Sequence, residues 1–131
     1  MGRITARPPA QLQAELRDGE QLQMLWALQV LLTQGWARDA LARAKDGFEV
    51  HPLSPEACAW CLIGAIGKIA WQTDDAARRE LRFDALLGAI AEVEPAVVLR
   101  TPAVFNDTET KEGVIAVVAR AVVVEEQRLL R

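Results

Sequence analysis

The sequence predicts a mostly α-helical single domain: a small bundle of four long or medium helices, one short extra helix and a short β-hairpin near residues 40–51. Three observations carry that prediction. Apolar residues recur at helical spacing over four segments, and glycine, proline and capping residues punctuate the chain between them. The 131 residues are 51% hydrophobic and 25% charged, the balance of a globular domain at a length that holds one core.

Residues 1–8 are expected to form a loose arm, and 9–131 the domain. Pro9 suits the first turn of a short helix carrying Leu12 and Leu16, which Asp18-Gly19 ends. From Glu20 to Gln34 the apolar positions Met24, Leu25, Leu28, Leu31 and Leu32 repeat at helical spacing, and Gly35 is a natural stop. Between Trp36 and His51 the period is lost, and Asp46-Gly47 is the dipeptide favoured in tight hairpin turns.

Ser54-Pro55-Glu56 reads as a helix start, with a hydroxyl cap, a proline that gives up only an orphan N–H and a carboxylate against the helix dipole. The helix it predicts runs to about Gln72 and is apolar nearly all round. Such a helix belongs at the centre of a bundle, where Gly64 and Gly67 would let a neighbouring backbone come close.

A third long helix is predicted from Asp74 or Asp75 to about Val93, with Phe83, Leu86, Leu87, Ile90 and Val93 on one face and Asp74–Arg78 and Asp75–Arg79 as i,i+4 pairs. Pro95 to Asn106 holds two prolines and no clear period, so it reads as loop or short extended chain. Thr110 can cap a last helix striped by Val114, Val118, Ala121 and Val122. Its β-branched residues would also suit a strand, but the length, the cap and the charged tail favour helix.

Composition narrows the function classes. With a formal charge of −3 there is no general excess of Lys and Arg to neutralise phosphates, so nucleic acid is not an expected partner. The longest uncharged apolar run, Ala57 to Gly67, falls far short of the ~20 residues that a membrane span needs. Two cysteines and no mark of export point to reduced thiols in a cytoplasm.

Cys58-x-x-Cys61 invites a thiol-redox reading. On the predicted helix, however, Cys58 is the fourth residue and Cys61 the seventh, beyond the first turn where the dipole acts, among apolar neighbours that raise a thiol pKa. Burial of both thiols is the plainer reading. Haem attachment would need His where Leu62 stands, and a structural zinc site would need a fourth Cys or His beyond His51, Cys58 and Cys61, so no cofactor and no metal are expected. The lone His51, before Pro52, reads as a solvated loop residue.

Arg78, Arg79 and Arg82 form the one basic cluster, in the ordinary case a solvated helix face and in the sharper case a phosphate or protein contact. Trp26, Trp36, Trp60 and Trp71 all fall in or beside the first two long helices. They read as core, unless one is exposed and marks a partner surface.

Gly35-Trp36, Trp60-Cys61-Leu62 with Gly64-Ala65, Phe105-Asn106-Asp107, and Thr110 ahead of a final helix with Arg120-Ala121 together resemble domain-of-unknown-function family 6197 of bacterial and phage proteins. The resemblance spans about residues 20–124. The departure is Gly113, where the family's usual acidic residue would complete a capping box with the threonine. The resemblance implies a small helical domain and brings no catalytic residues with it. Asn106 and Asp107 bond backbone amides readily, so they are expected to fasten the preceding loop to the end of the Cys61 helix or to cap a helix. The alternative is that Trp36, Trp60, Cys61, Asn106 and Asp107 converge on a small polar-floored pocket.

The expectation is therefore a non-catalytic binding or regulatory module whose partner is a protein or small ligand. A thiol-redox protein using Cys58 and Cys61, and a weak nucleic-acid or protein binder using the three arginines, are the competing readings. Excess apolar helical surface, particularly Val122–Val124, would also fit a homodimer.

Overall fold

The computed structural model describes residues 15–131. The expected arm and the first turns of the helix from Pro9 lie outside the described residues. After a turn in which Gly19 takes the left-handed φ of 75° come helix α1 (Glu20–Gln34), strands β1 (Ala42–Ala44) and β2 (Ala57–Trp60), and helices α2 (Leu62–Ala70), α3 (Ala76–Val93), α4 (Ala96–Leu99), α5 (Pro102–Thr108) and α6 (Lys111–Leu129).

The four longer helices form the bundle: α1 lies mainly against α6, α2 against α3, and α1 also meets α2. The predicted stripe of α1 is its buried face. Leu25, Leu28 and Leu32 are sealed from solvent together with Leu62, Ile66, Leu86, Ile90, Val114 and Val118. Each such side chain contributes about 1.5–3 kcal/mol through burial. Helix wins over strand in the last segment, where Thr110 Oγ1 accepts the Gly113 N–H at 3.0 Å; a Cβ at Gly113 would stand against the Glu109 carboxylate that folds over the same cap.

The predicted hairpin forms, and it carries more than its turn. Ala44 and Val50 donate to the carbonyls of Phe48 and Ala42 around the Asp46-Gly47 turn, with Gly47 at φ 90°. The opposite edge of β1 pairs antiparallel with β2, Ala42 facing Trp60, Arg43 facing Ala59 and Ala44 facing Ala57. This register leaves Cys58 as the extra residue of a bulge. On its far edge β2 runs parallel to the chain leaving α1: Trp60 N–H donates to Gly35 O and Ala37 N–H to Trp60 O, both at 3.0 Å.

Two expectations are corrected. The helix expected from Ser54 begins only at Leu62, with Cys61 as its N-cap. Ser54 Oγ caps a local turn by accepting the Glu56 N–H, and Ala57–Trp60 are extended because partners on both edges satisfy their backbone. Gly35 ends α1, as expected of it, in extended conformation at φ −167°. Its lack of a side chain is needed because a Cβ there would lie 1.9 Å from Cys58 O.

Pro95–Asn106 is not loop but α4 and most of α5. Its prolines start helices, Pro95 just before α4 and Pro102 in the first turn of α5. Thr101 caps α5 by accepting the Val104 N–H at 3.3 Å, and does so at φ 76°, a strained value for a β-branched residue.

Candidate functional site

The motif residues meet at one side chain. Asn106, fully buried on α5, accepts the Trp36 indole N–H at 2.7 Å and the Leu62 backbone N–H at 3.0 Å on Oδ1, and donates from Nδ2 to Ala37 O and Asp107 Oδ1. Asp107 Oδ1 also accepts the Asp39 N–H at 2.9 Å. That amide, the Asn106 donor and the nearby Arg38 cation hold the Asp107 carboxyl below its ordinary pKa, against burial, which works to raise it. Arg38 stacks 5.0 Å over Trp36 and donates to Glu109 O.

Trp36, Asn106 and Asp107 therefore tie the exit of α1, the start of α2 and α5 together. Both oxygen lone pairs and both amide protons of Asn106 are in use, so this cluster presents no free polar floor to a ligand. Trp60 stands apart from it, donating its indole N–H to Pro52 O at 3.0 Å.

The two cysteines part company. Cys58 is exposed and Cys61 buried. Cys61 Sγ accepts the Gly64 N–H at 3.4 Å and sits at a helix start after all. Burial nevertheless pushes its thiol pKa up, outweighing the amides of Gly64 and Ile63. Three steps of near-extended chain separate the two Cα atoms by on the order of 10 Å, too far for a disulfide within the fold. Among the described residues no group of three or more His, Cys, Asp or Glu is placed to hold a metal ion, and no helix is long and apolar enough to cross a membrane.

The three arginines do not form a free cationic face. Arg78 and Arg82 both clamp Glu20, the first residue of α1, and Arg82 also donates to Ala70 O and Ile69 O at the end of α2. Burial works to raise the Glu20 pKa, but the bonds from Arg78, the Arg17 backbone N–H and Arg82 prevail and hold it at about 2. Arg79 donates to Thr73 O and lies 5.8 Å over Trp71.

A cleft of about 380 Å³ opens between the loop after β1, α2 and α3. Gly64 and Gly67 form its floor. Leu41, Leu53 and Trp71, each 41–51% exposed, rise around it with Ile63, Phe83, Pro52 and His51. The glycines do different work. A Cβ at Gly64 would stand 2.1 Å from Leu41 O, so Gly64 admits the backbone approach expected of it, whereas a Cβ at Gly67 would meet nothing within 4 Å. Gly64, Gly67 and Trp71 share one helix face at i, i+3 and i+7.

Trp71 is one of the four tryptophans that the sequence offers as a partner surface if exposed, and it is exposed; the two glycines are not marked as a site by the sequence, although their spacing ahead of a tryptophan was the available signal. A second, more open apolar groove of about 500 Å³ runs along Val93, Ala119, Val123 and Val124. Val122, the first of its valine run, is buried.

No curated protein and no solved structure matches the chain. The model of one family of unknown function matches residues 22–123, which include the Trp36, Cys61 and Asn106 contacts and both glycines of the cleft floor. The chain belongs to that family, DUF6197.

Proposed function

We propose that the protein is a non-catalytic binding module and that the cleft over Gly67 is where it binds. The observation that carries this reading is the cleft itself, with Gly67 among its lining residues. A glycine inside a helix costs about 1 kcal/mol relative to alanine, and here no neighbouring atom requires it. What its missing side chain leaves is open space between half-exposed Leu41, Leu53 and Trp71. The size and the mostly apolar walls are those of a small-ligand site.

Two of the residues with reactive side chains, Cys61 and His51, support a non-catalytic role. The Cys61 thiol is buried with a raised pKa, and His51 Nδ1 is occupied by the Leu53 N–H at 3.0 Å.

The test is protein-observed NMR with 2-naphthamide, a neutral aromatic probe. Saturable shifts at Leu41, Leu53, Gly64, Gly67 and Trp71 are expected, and Gly67→Leu should abolish them by filling the cleft, while Gly67→Ala confirms that a side chain there is tolerated. Shifts centred elsewhere, or none, sink the reading.

A further inference from the structure

The polar side chains that line the cleft are of one kind. Among its lining residues only His51 and Trp71 carry polar side-chain atoms. His51 Nδ1 already accepts the Leu53 N–H, which leaves its ring proton on Nε2, and Trp71 has an indole N–H. Both therefore offer donors, and neither offers a free acceptor.

Two cations flank these donors. Lys68 follows Gly64 by one helical turn, and its Nζ lies 5.6 Å from the ring of Trp60, whose indole is bonded to Pro52 of the cleft wall. Arg79 lies over Trp71 on the other side, one turn before Phe83 on α3. Arg79 is thus held against a ring that lines the cleft, and Lys68, next to Gly67 in sequence, over a ring bonded to the cleft wall. The nearby acid Asp75 is turned to its own helix, accepting the N–H groups of Ala77 and Arg78.

We infer that the cleft takes a small amphipathic anion, an apolar, preferably aromatic body carrying a carboxylate. The body lies on the Gly67 floor between Leu41, Leu53 and Trp71, and the carboxylate accepts from the donors and faces Lys68 and Arg79. This inference rests on the binding-module reading and adds the ligand class to it. A protein of net charge −3 repels anions at long range, so selection for one must come from such local cations.

The experiment compares 2-naphthoate with 2-naphthamide, which have the same ring and differ in the charged group, by NMR titration of the full chain at pH 7. The acid is expected to bind at least about fivefold tighter. Its advantage should shrink between 20 and 500 mM NaCl while the amide is unmoved. Lys68→Gln and Arg79→Gln should each weaken the acid about threefold, within the range of an exposed ion pair, and Arg79→Lys should restore the discrimination.

Equal affinities for acid and amide, or an acid affinity indifferent to salt and to both Gln variants, overturn the anion assignment and leave the binding module standing. If neither probe reaches the cleft, both fall.

Discussion

Asn106 on α5 receives the indole proton of Trp36 at 2.7 Å across seventy residues of sequence, and the same oxygen takes the first free amide of α2, that of Leu62. One buried carboxamide thus fixes where α1 ends, where α2 begins and how α5 lies against both. These contacts hold the fold together, and the cleft opens on the following helix, α2.

Asn106→Ala should consequently cost roughly 3–5 kcal/mol, because the Trp36 N–H, the Leu62 N–H and the Ala37 carbonyl lose a buried partner together. Trp36→Phe removes one donor and keeps most of the ring, so about 1 kcal/mol is expected. Urea denaturation of both and of the double variant gives the coupling. A coupling near zero would mean that the bond does not hold the segments together.

Glu20 is the main contributor to the acid limb of stability, beside Asp107, whose pKa is also lowered. The folded Glu20 pKa of about 2 lies below its ordinary 4.5, so its contribution is fully present above about pH 4.5 and is lost as pH falls toward 2. The difference corresponds to on the order of 3 kcal/mol. In Glu20→Gln, stability between pH 5 and 2 should fall less steeply from a lower starting value. An acid limb identical to that of the parent would show that Arg78 and Arg82 do not stabilise the carboxylate.

Alkylation followed by intact mass should find one fast thiol and one slow one. Cys58, exposed on the bulge, is expected to label in the native protein at an ordinary rate, and Cys61 only on unfolding. Cys61→Ser should be close to neutral, since a hydroxyl caps a helix at least as well as a thiol, while Cys61→Val should lose about 1 kcal/mol with the cap. Rapid native labelling of Cys61 would return the pair to consideration as a redox site.

Much of the fold was legible in the sequence, and the misreading at residues 54–60 has a non-local cause. The bounds of α1, Asp75 and Thr110 as caps, and the helical last segment follow from local period and capping chemistry. Residues 54–60 were misread because Ser-Pro-Glu is also a good turn, and only the distant partners Arg43 and Gly35 decide for strand. The same holds at the site: the motif residues stand out in sequence, whereas Leu41, Leu53 and Trp71 form a cleft only once α2 is shortened and the loop folds over it.

The two glycines of the cleft floor give the sharpest contrast, because the same substitution three residues apart on one helix should change sign. Gly64→Ala places a methyl 2.1 Å from Leu41 O, which belongs to a backbone pinned by the Cys61 N–H, so the loop must move and about 2 kcal/mol or more should be lost. Gly67→Ala meets nothing and gains helix propensity, so about 0.5–1 kcal/mol should be gained. Gly88→Ala, in equally open space on α3, is the control that should gain a similar amount without touching the cleft. Thermal and urea unfolding of the three variants measure the signs. If Gly67→Ala also proves destabilising, the glycine has a packing role, and the argument that its place is kept open for a ligand fails with it.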